Sequence, residues 1–410
     1  MRSRSNRCSR RTDPQQAEAH AGRALRPARV LCVREGPRMQ AVQRIRFFDM
    51  AKGIGILCVV LGHAAIESIF VEPSNTAQWA MATCFSFHMP LFFLIAGYFM
   101  HPERDFQWRK EGKQLVLTYA ITACLVVAGA GVMAKLRHLN VRDMVRFWAD
   151  AAWYGSGDVS ANTMWEVQGR IGAIWFLLAM FWARLLMHIF ARMPYTGCWV
   201  AGSFVMGWVS SRSVWLPWSF QSGMCAVAFV YLGVLAKRYD VLGRVRRYPW
   251  IWAVAVALWA LAIWKFTGFS MAMNNYGVHP VMAAVGSIAG TLCIIGLCQL
   301  LDHVQWVGAV LSRAGQATLA ILCVHLIEDD VLPWGEWLVT LHAKTIGIPL
   351  VAVAFCAHLV IDLLGAWALY YVPVVNTWFY PTLVKAKEQA KVEGVQPLAA
   401  PAGGGVSAVQ

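Results

Sequence analysis

The chain has 410 residues, of which 58% are hydrophobic and 14% charged, with 20 Trp and a formal net charge of +14. Soluble domains carry about a quarter charged residues and under half apolar ones, so a water-soluble enzyme is excluded and an all-α membrane protein is expected. Excess Lys and Arg in such a protein marks cytoplasmic loops, so the charge does not call for a nucleic-acid partner. The 11 Cys form no C-x-x-C pair and nine lie in or beside apolar stretches. They read as small buried hydrophobes, and neither a disulfide framework nor a metal site is expected.

Residues 1–46 hold 12 Arg and no Lys, against Asp13, Glu18 and Glu35. This segment reads as a disordered basic arm, with Met39 as an alternative start of the chain. From Phe47 onward, apolar stretches near the roughly 20 residues needed to span a bilayer follow one another. They fall at about 47–70, 82–100, 114–134, 172–191, 197–211, 220–236, 250–266, 280–301, 316–333 and 347–372, a polytopic bundle of about ten transmembrane helices. The fifth and ninth are short or interrupted. With the N-terminus inside, cytoplasmic segments hold 26 of the 36 Lys and Arg and outer segments 8. That bias puts both termini in the cytoplasm. Residues 373–410 end in an Ala/Gly/Val-rich stretch and read as a low-complexity cytoplasmic tail.

The longest internal loop, about 135–171, is then extracytoplasmic. It carries Trp148, Trp153, Tyr154 and Trp165 among Asp150, Asp158 and Glu166. Aromatic faces beside carboxylates suit a carbohydrate; an interfacial aromatic belt with a lid on the bundle accounts for the same residues.

The first span, FFDMAKGIGILCVVLGH over 47–63, holds Asp49, Lys52 and His63 in an apolar frame. Ionisable groups there are costly and are candidates for function. At 100° per residue, Lys52 and His63 differ by about 20° around the helix and by about 16 Å along it, and Asp49 shares their face. Glu67, one turn beyond His63, is placed to orient its imidazole. In the second span, His88 is expected at nearly the depth of His63, beside a break caused by Pro90. Snorkelling would account for Lys52 and an i,i+3 ion pair for Asp49, but neither explains the stripe shared with His63.

Lys52-x10-His63, preceded by Phe48-Asp49 and followed by Phe87-His88-Met89-Pro90-Leu91-Phe92-Phe93, resembles the integral-membrane acyltransferase-3 family, whose relatives include sugar O-acetyltransferases. The likeness continues in Trp175-Phe176-Leu177, in Leu216-Pro217 through Tyr231-Leu232-Gly233, and in Gly315-x2-Thr318-x6-His325. The resemblance implies about ten helices over residues 47–372, a cytoplasmic acyl-coenzyme A donor (acetyl-CoA or another acyl-CoA), and a hydroxyl acceptor on a glycan or lipid-linked sugar. It matches His63 to the family's essential histidine, Lys52 to the basic residue before it, and His88 and His325 to further recurrent histidines. The chain is accordingly expected in the inner (plasma) membrane, among membrane lipid.

Geometry and resemblance together give an expected division of roles. Lys52, with Asp49, would hold donor phosphate, and the pantetheine arm would run up the stripe to His63. His63 would act as general base or acyl-accepting nucleophile, with Glu67 or His88 fixing its tautomer and His88 available for the oxyanion. Asp158, Trp165, Glu166 and His325 are the acceptor-side candidates, with Arg170 and His279 as looser ones. The rival reading, a secondary transporter, expects an inverted internal repeat, and the pair of His-bearing spans has no counterpart in the second half.

Overall fold

A computed structural model describes residues 45–160, 162–344, 347–380 and Val384. The expected basic arm, apart from its last two residues, and the expected tail beyond residue 380, apart from Val384, lie outside the described residues. The described residues are helical, with longer connecting segments at 155–171 and 265–279 and no β-strand, only isolated bridges such as Thr163 with Trp215.

In chain order the helices are α1 (Arg46–Val71), α2 (Asn75–Phe85), α3 (His88–Tyr98), α4 (Trp108–Glu111), α5 (Thr118–Leu136), α6 (Val141–Tyr154), α7 (Trp175–Phe190), α8 (Thr196–Ser210) and α9 (Phe220–Arg238). They continue as α10 (Val241–Arg247), α11 (Pro249–Trp264), α12 (Pro280–Leu301), α13 (Gln305–Gln316), α14 (Thr318–Val331), α15 (Trp334–Lys344), α16 (Leu350–Tyr371) and α17 (Val375–Phe379). A π-helical stretch, Gly112–Leu117, joins α4 to α5. Among the described residues, seven stretches are long and apolar enough to cross a membrane. Two bent pairs, α10 with α11 at 105° and α13 with α14 at 64°, bring the number to nine if each pair crosses as one span. The expected fifth span is α8, whose 15 residues fall short of a full crossing.

Two departures from the expected layout bear on function. The segment 135–171, expected outside the membrane, is not all loop: Asn140 caps α6 by accepting from the amides of Arg142 and Asp143, and Gly155 ends it at φ 70°. Glycine takes that left-handed conformation most readily, having no Cβ. Beyond α16, α17 folds back on the bundle, where Trp378 Nε1 donates to Thr118 Oγ1 at 2.8 Å and the Tyr380 hydroxyl to the Ala366 carbonyl at 2.6 Å.

The second span breaks where proline predicts. α2 ends at Phe85, α3 begins at His88, and Pro90 occupies its first turn, where a missing amide hydrogen costs nothing.

α1 lies at the centre, seated by glycines. A methyl group on Gly53 would overlap the Leu311 carbonyl, and one on Gly315 the Asp49 carbonyl, so α1 and α13 touch backbone to backbone. Gly97 and Gly233 give α3 and α9 the same closeness. Small residues at such crossings are what membrane helices use in place of a hydrophobic driving force.

Candidate active site

A cavity of about 260 Å³ opens beside the C-terminal half of α1. Its wall is built from His63, Glu67, the α2–α3 break, the 157–158 and 170–175 segments, the loop at 269–272 and Asp329 of α14. Gly172, at φ 57°, brings this wall against α14; a Cβ there would sit 2.8 Å from Leu326 Cδ1.

His63 Nδ1 lies 3.2 Å from Asp329 Oδ2. A carboxylate only accepts, so Nδ1 carries the hydrogen and Nε2 keeps its lone pair. With Nδ1 engaged, Nε2 is the free atom of a residue on the cavity wall. The carboxylate also stabilises the imidazolium that forms when Nε2 takes a proton.

The orienting partner is therefore Asp329, not Glu67 or His88. Glu67 Oε2 instead lies 2.9 Å from His358 Nε2. His88 donates from Nδ1 to the Cys84 carbonyl at 2.6 Å, bridging the α2–α3 break. A neutral ring donating there has only a lone pair at Nε2, so, contrary to the expected role, it offers no hydrogen to an oxyanion. His63 and His88 do share the cavity, as their matched depths predicted, with Phe85 against both rings at 6.5 and 5.0 Å.

The other candidates divide sharply. Asp158 and Arg170 line the cavity. Trp165 and Glu166 are exposed and outside its lining, Trp165 resting on the Tyr154 ring at 4.7 Å. His279 is also outside it. His325 is fully buried behind His63, ring centroids 5.1 Å apart, and does not reach the cavity, so it cannot touch an acceptor there. Lys52 Nζ is 3.6 Å from Asp49 Oδ1 and 5.8 Å from the centre of the Phe99 ring, at the opposite end of α1 from the cavity.

Behind the cavity lies a buried acid–histidine cluster. Glu328 Oε1 receives both His325 Nδ1 at 2.8 Å and His358 Nδ1 at 2.7 Å, and its Oε2 takes Trp334 Nε1–H at 2.6 Å. Asp362 Oδ2 stands 3.2 Å from His325 Nδ1. These nitrogen–oxygen separations are those of hydrogen bonds, and the His358–Glu328 and His325–Glu328 contacts, at 2.7 and 2.8 Å, are well below the about 3.3 Å between two ligands of a tetrahedral zinc ion. Asp329, Glu328, His358 and Asp362 escaped the sequence reading, although the rule that singled out His63 applies equally to ionisable residues in the ninth and tenth spans.

The acyltransferase-3 family model, an acyltransferase domain, matches residues 45–380. The chain belongs to the acyltransferase-3 family. Nodulation protein NolL of Sinorhizobium fredii is a curated relative, 28% identical over 157 residues. That match covers 37% of this chain and 38% of the relative's length. No solved structure matches the chain. The family match spans α1 to α17 and so takes in the cavity, the His63–Asp329 pair and the cluster behind it.

Proposed function

We propose that this acyltransferase-3 protein is a plasma-membrane O-acyltransferase. It moves an acetyl or other acyl group from cytoplasmic acyl-coenzyme A to a hydroxyl of a glycan or lipid-linked sugar. The observation that carries this reading is the His63–Asp329 pair on a cavity wall, with Nε2 free. Oxygen attack on a thioester needs a base at the hydroxyl, and an oriented imidazole supplies one, worth about 10²–10⁴-fold in rate.

The cavity is smaller than the roughly 300–1,000 Å³ of drug-sized sites. It suits the thioester end of the donor and the reacting end of the acceptor, and leaves the donor nucleotide elsewhere. Lys52 is the residue for that remote part, its ammonium a point charge for phosphate at the other end of α1. A groove of about 590 Å³ at the same end runs from Met100, next to the Phe99 that Lys52 overlies, to Lys237 and Arg238. On the acceptor side, Asp158 and Arg170 offer hydrogen-bonding groups and Trp175 and Phe269 offer apolar faces, a combination that fits a sugar ring.

Inside-out vesicles given labelled acetyl-coenzyme A test the reading. Wild type transfers label to an endogenous glycan or lipid-linked sugar and His63→Ala does not, with both inserted equally. Absence of transfer by wild type removes the acetyl reading; retained transfer by His63→Ala removes the role of that residue.

A further inference from the structure

His358 bridges two carboxylates: Nδ1 faces Glu328 Oε1 at 2.7 Å and Nε2 faces Glu67 Oε2 at 2.9 Å. A neutral imidazole has one hydrogen to give, and a carboxylate has none. Two such contacts therefore need one proton more than a neutral ring between two carboxylates supplies. Glu328 already accepts three N–H groups, from His358, His325 and Trp334, and is the anion of the set. The additional proton accordingly lies on the other side of the ring, between His358 Nε2 and Glu67 Oε2. Of the two, Glu67 lines the cavity that holds His63.

From this we propose that Glu67, loaded by His358, is the general acid of the transfer, complementary to His63 as the base. The inference rests on the acyl transfer proposed above. The acceptor hydroxyl gives its proton to His63 Nε2 as the new C–O bond forms. The C–S bond of the thioester breaks, and the leaving sulfur takes the proton shared by Glu67 and His358. Two groups then differ from their starting state by one proton each, with opposite sign. Water in the cavity carries the proton from His63 back to Glu67 between turnovers. A sulfur anion released into an apolar, partly desolvated cavity is costly, which is why an acid is needed there. Each histidine thus has a carboxylate partner that sets its role. Asp329 keeps His63 ready to accept, and Glu67 draws on the proton that Glu328 secures on His358.

The charged and titratable groups around Glu67 are His63 on its own helix, Asp329 on α14, His358 on α16, and Asp158 and Arg170 across the cavity. Rates of acetyl transfer are measured against pH for wild type, Glu67→Gln, Glu67→Asp and His358→Gln in the same vesicles. Wild type should show a falling limb on the alkaline side, where the shared proton is lost. Glu67→Gln should lose about 100-fold or more in kcat with KM for acetyl-coenzyme A little changed, and the alkaline limb should vanish. Glu67→Asp, which keeps the acid on a shorter arm, should restore the limb and part of the rate, and His358→Gln should shift it. A structural role would scale the whole profile and leave its shape. An alkaline limb retained in Glu67→Gln, or a kcat loss under threefold, overturns the proposal. Loss of activity in Glu67→Gln alongside full activity in His63→Ala would instead overturn the base reading.

Discussion

Asp329 gives His63 a tautomer, an orientation and a counter-charge through a single contact. Asp329→Asn keeps the shape and removes the charge, so the imidazolium formed on proton uptake loses its partner. The expected result is a fall in kcat on the order of 10²–10⁴-fold with the protein still inserted, read by acetyl transfer in vesicles. His88 makes a different contribution, its Nδ1–H meeting a carbonyl freed by the break between α2 and α3. His88→Leu leaves that buried carbonyl unpaired at a cost of about 1–3 kcal/mol. His88→Asn can still donate to it, so melting in detergent should rank wild type above Asn and Asn above Leu. These residues also show where the sequence could be read. The stripe from Asp49 to His63 follows from helical period alone, and the shared cavity of His63 and His88 from counting residues inward. The pairing of His63 with Asp329 joins positions 266 apart, which no local spacing reveals. Glu67 sits at the i+4 position expected of an orienting group, but His358, 291 positions away on α16, takes it instead.

At the scale of helices, the α1–α13 crossing is set by Gly53 and Gly315. Gly315→Val would force side-chain atoms into the Asp49 carbonyl, and overpacking of this kind costs about 1–3 kcal/mol. Because the same crossing fixes α1, the variant should lose transfer activity as well as thermal stability. A normal melting temperature would show that the helices can separate without penalty. The α2–α3 break was legible, since Pro90 lacks an amide hydrogen wherever it sits. α6 was not expected, because counting apolar runs passes over a helix with a charged face. Its Asn140 cap and the Arg146–Asp150 pair at i,i+4 were nevertheless present to be read.

At the scale of the whole molecule, the ten expected spans become, among the described residues, seven apolar stretches and two bent pairs, because α8, at 15 residues, is too short to cross alone; hydropathy, which measures length without direction, also cannot see the 105° turn before Pro249. The expected orientation, with the cavity end outside, is open to direct test. A membrane-impermeant thiol reagent should label Glu166→Cys in intact cells and Arg244→Cys only after permeabilisation, in a background lacking native Cys. The reverse pattern would invert the molecule. The Asp329 contact also has a consequence for how the protein is made. α14 carries Glu328, Asp329 and Asp330 in its last turn; each costs less to insert there than the about 2.5–3.5 kcal/mol of an Asp at the centre of a membrane helix, but three together weigh against the helix inserting alone. Among the described residues, Glu328 and Asp329 find histidine partners on α1, α14 and α16, so these helices must meet before the two carboxylates are paired. At about 5–20 residues per second, synthesis separates His63 from Asp329 by roughly 13–50 s. For that interval the nascent chain displays the family's motif without a working centre, and a ribosome stalled before α16 would leave it so.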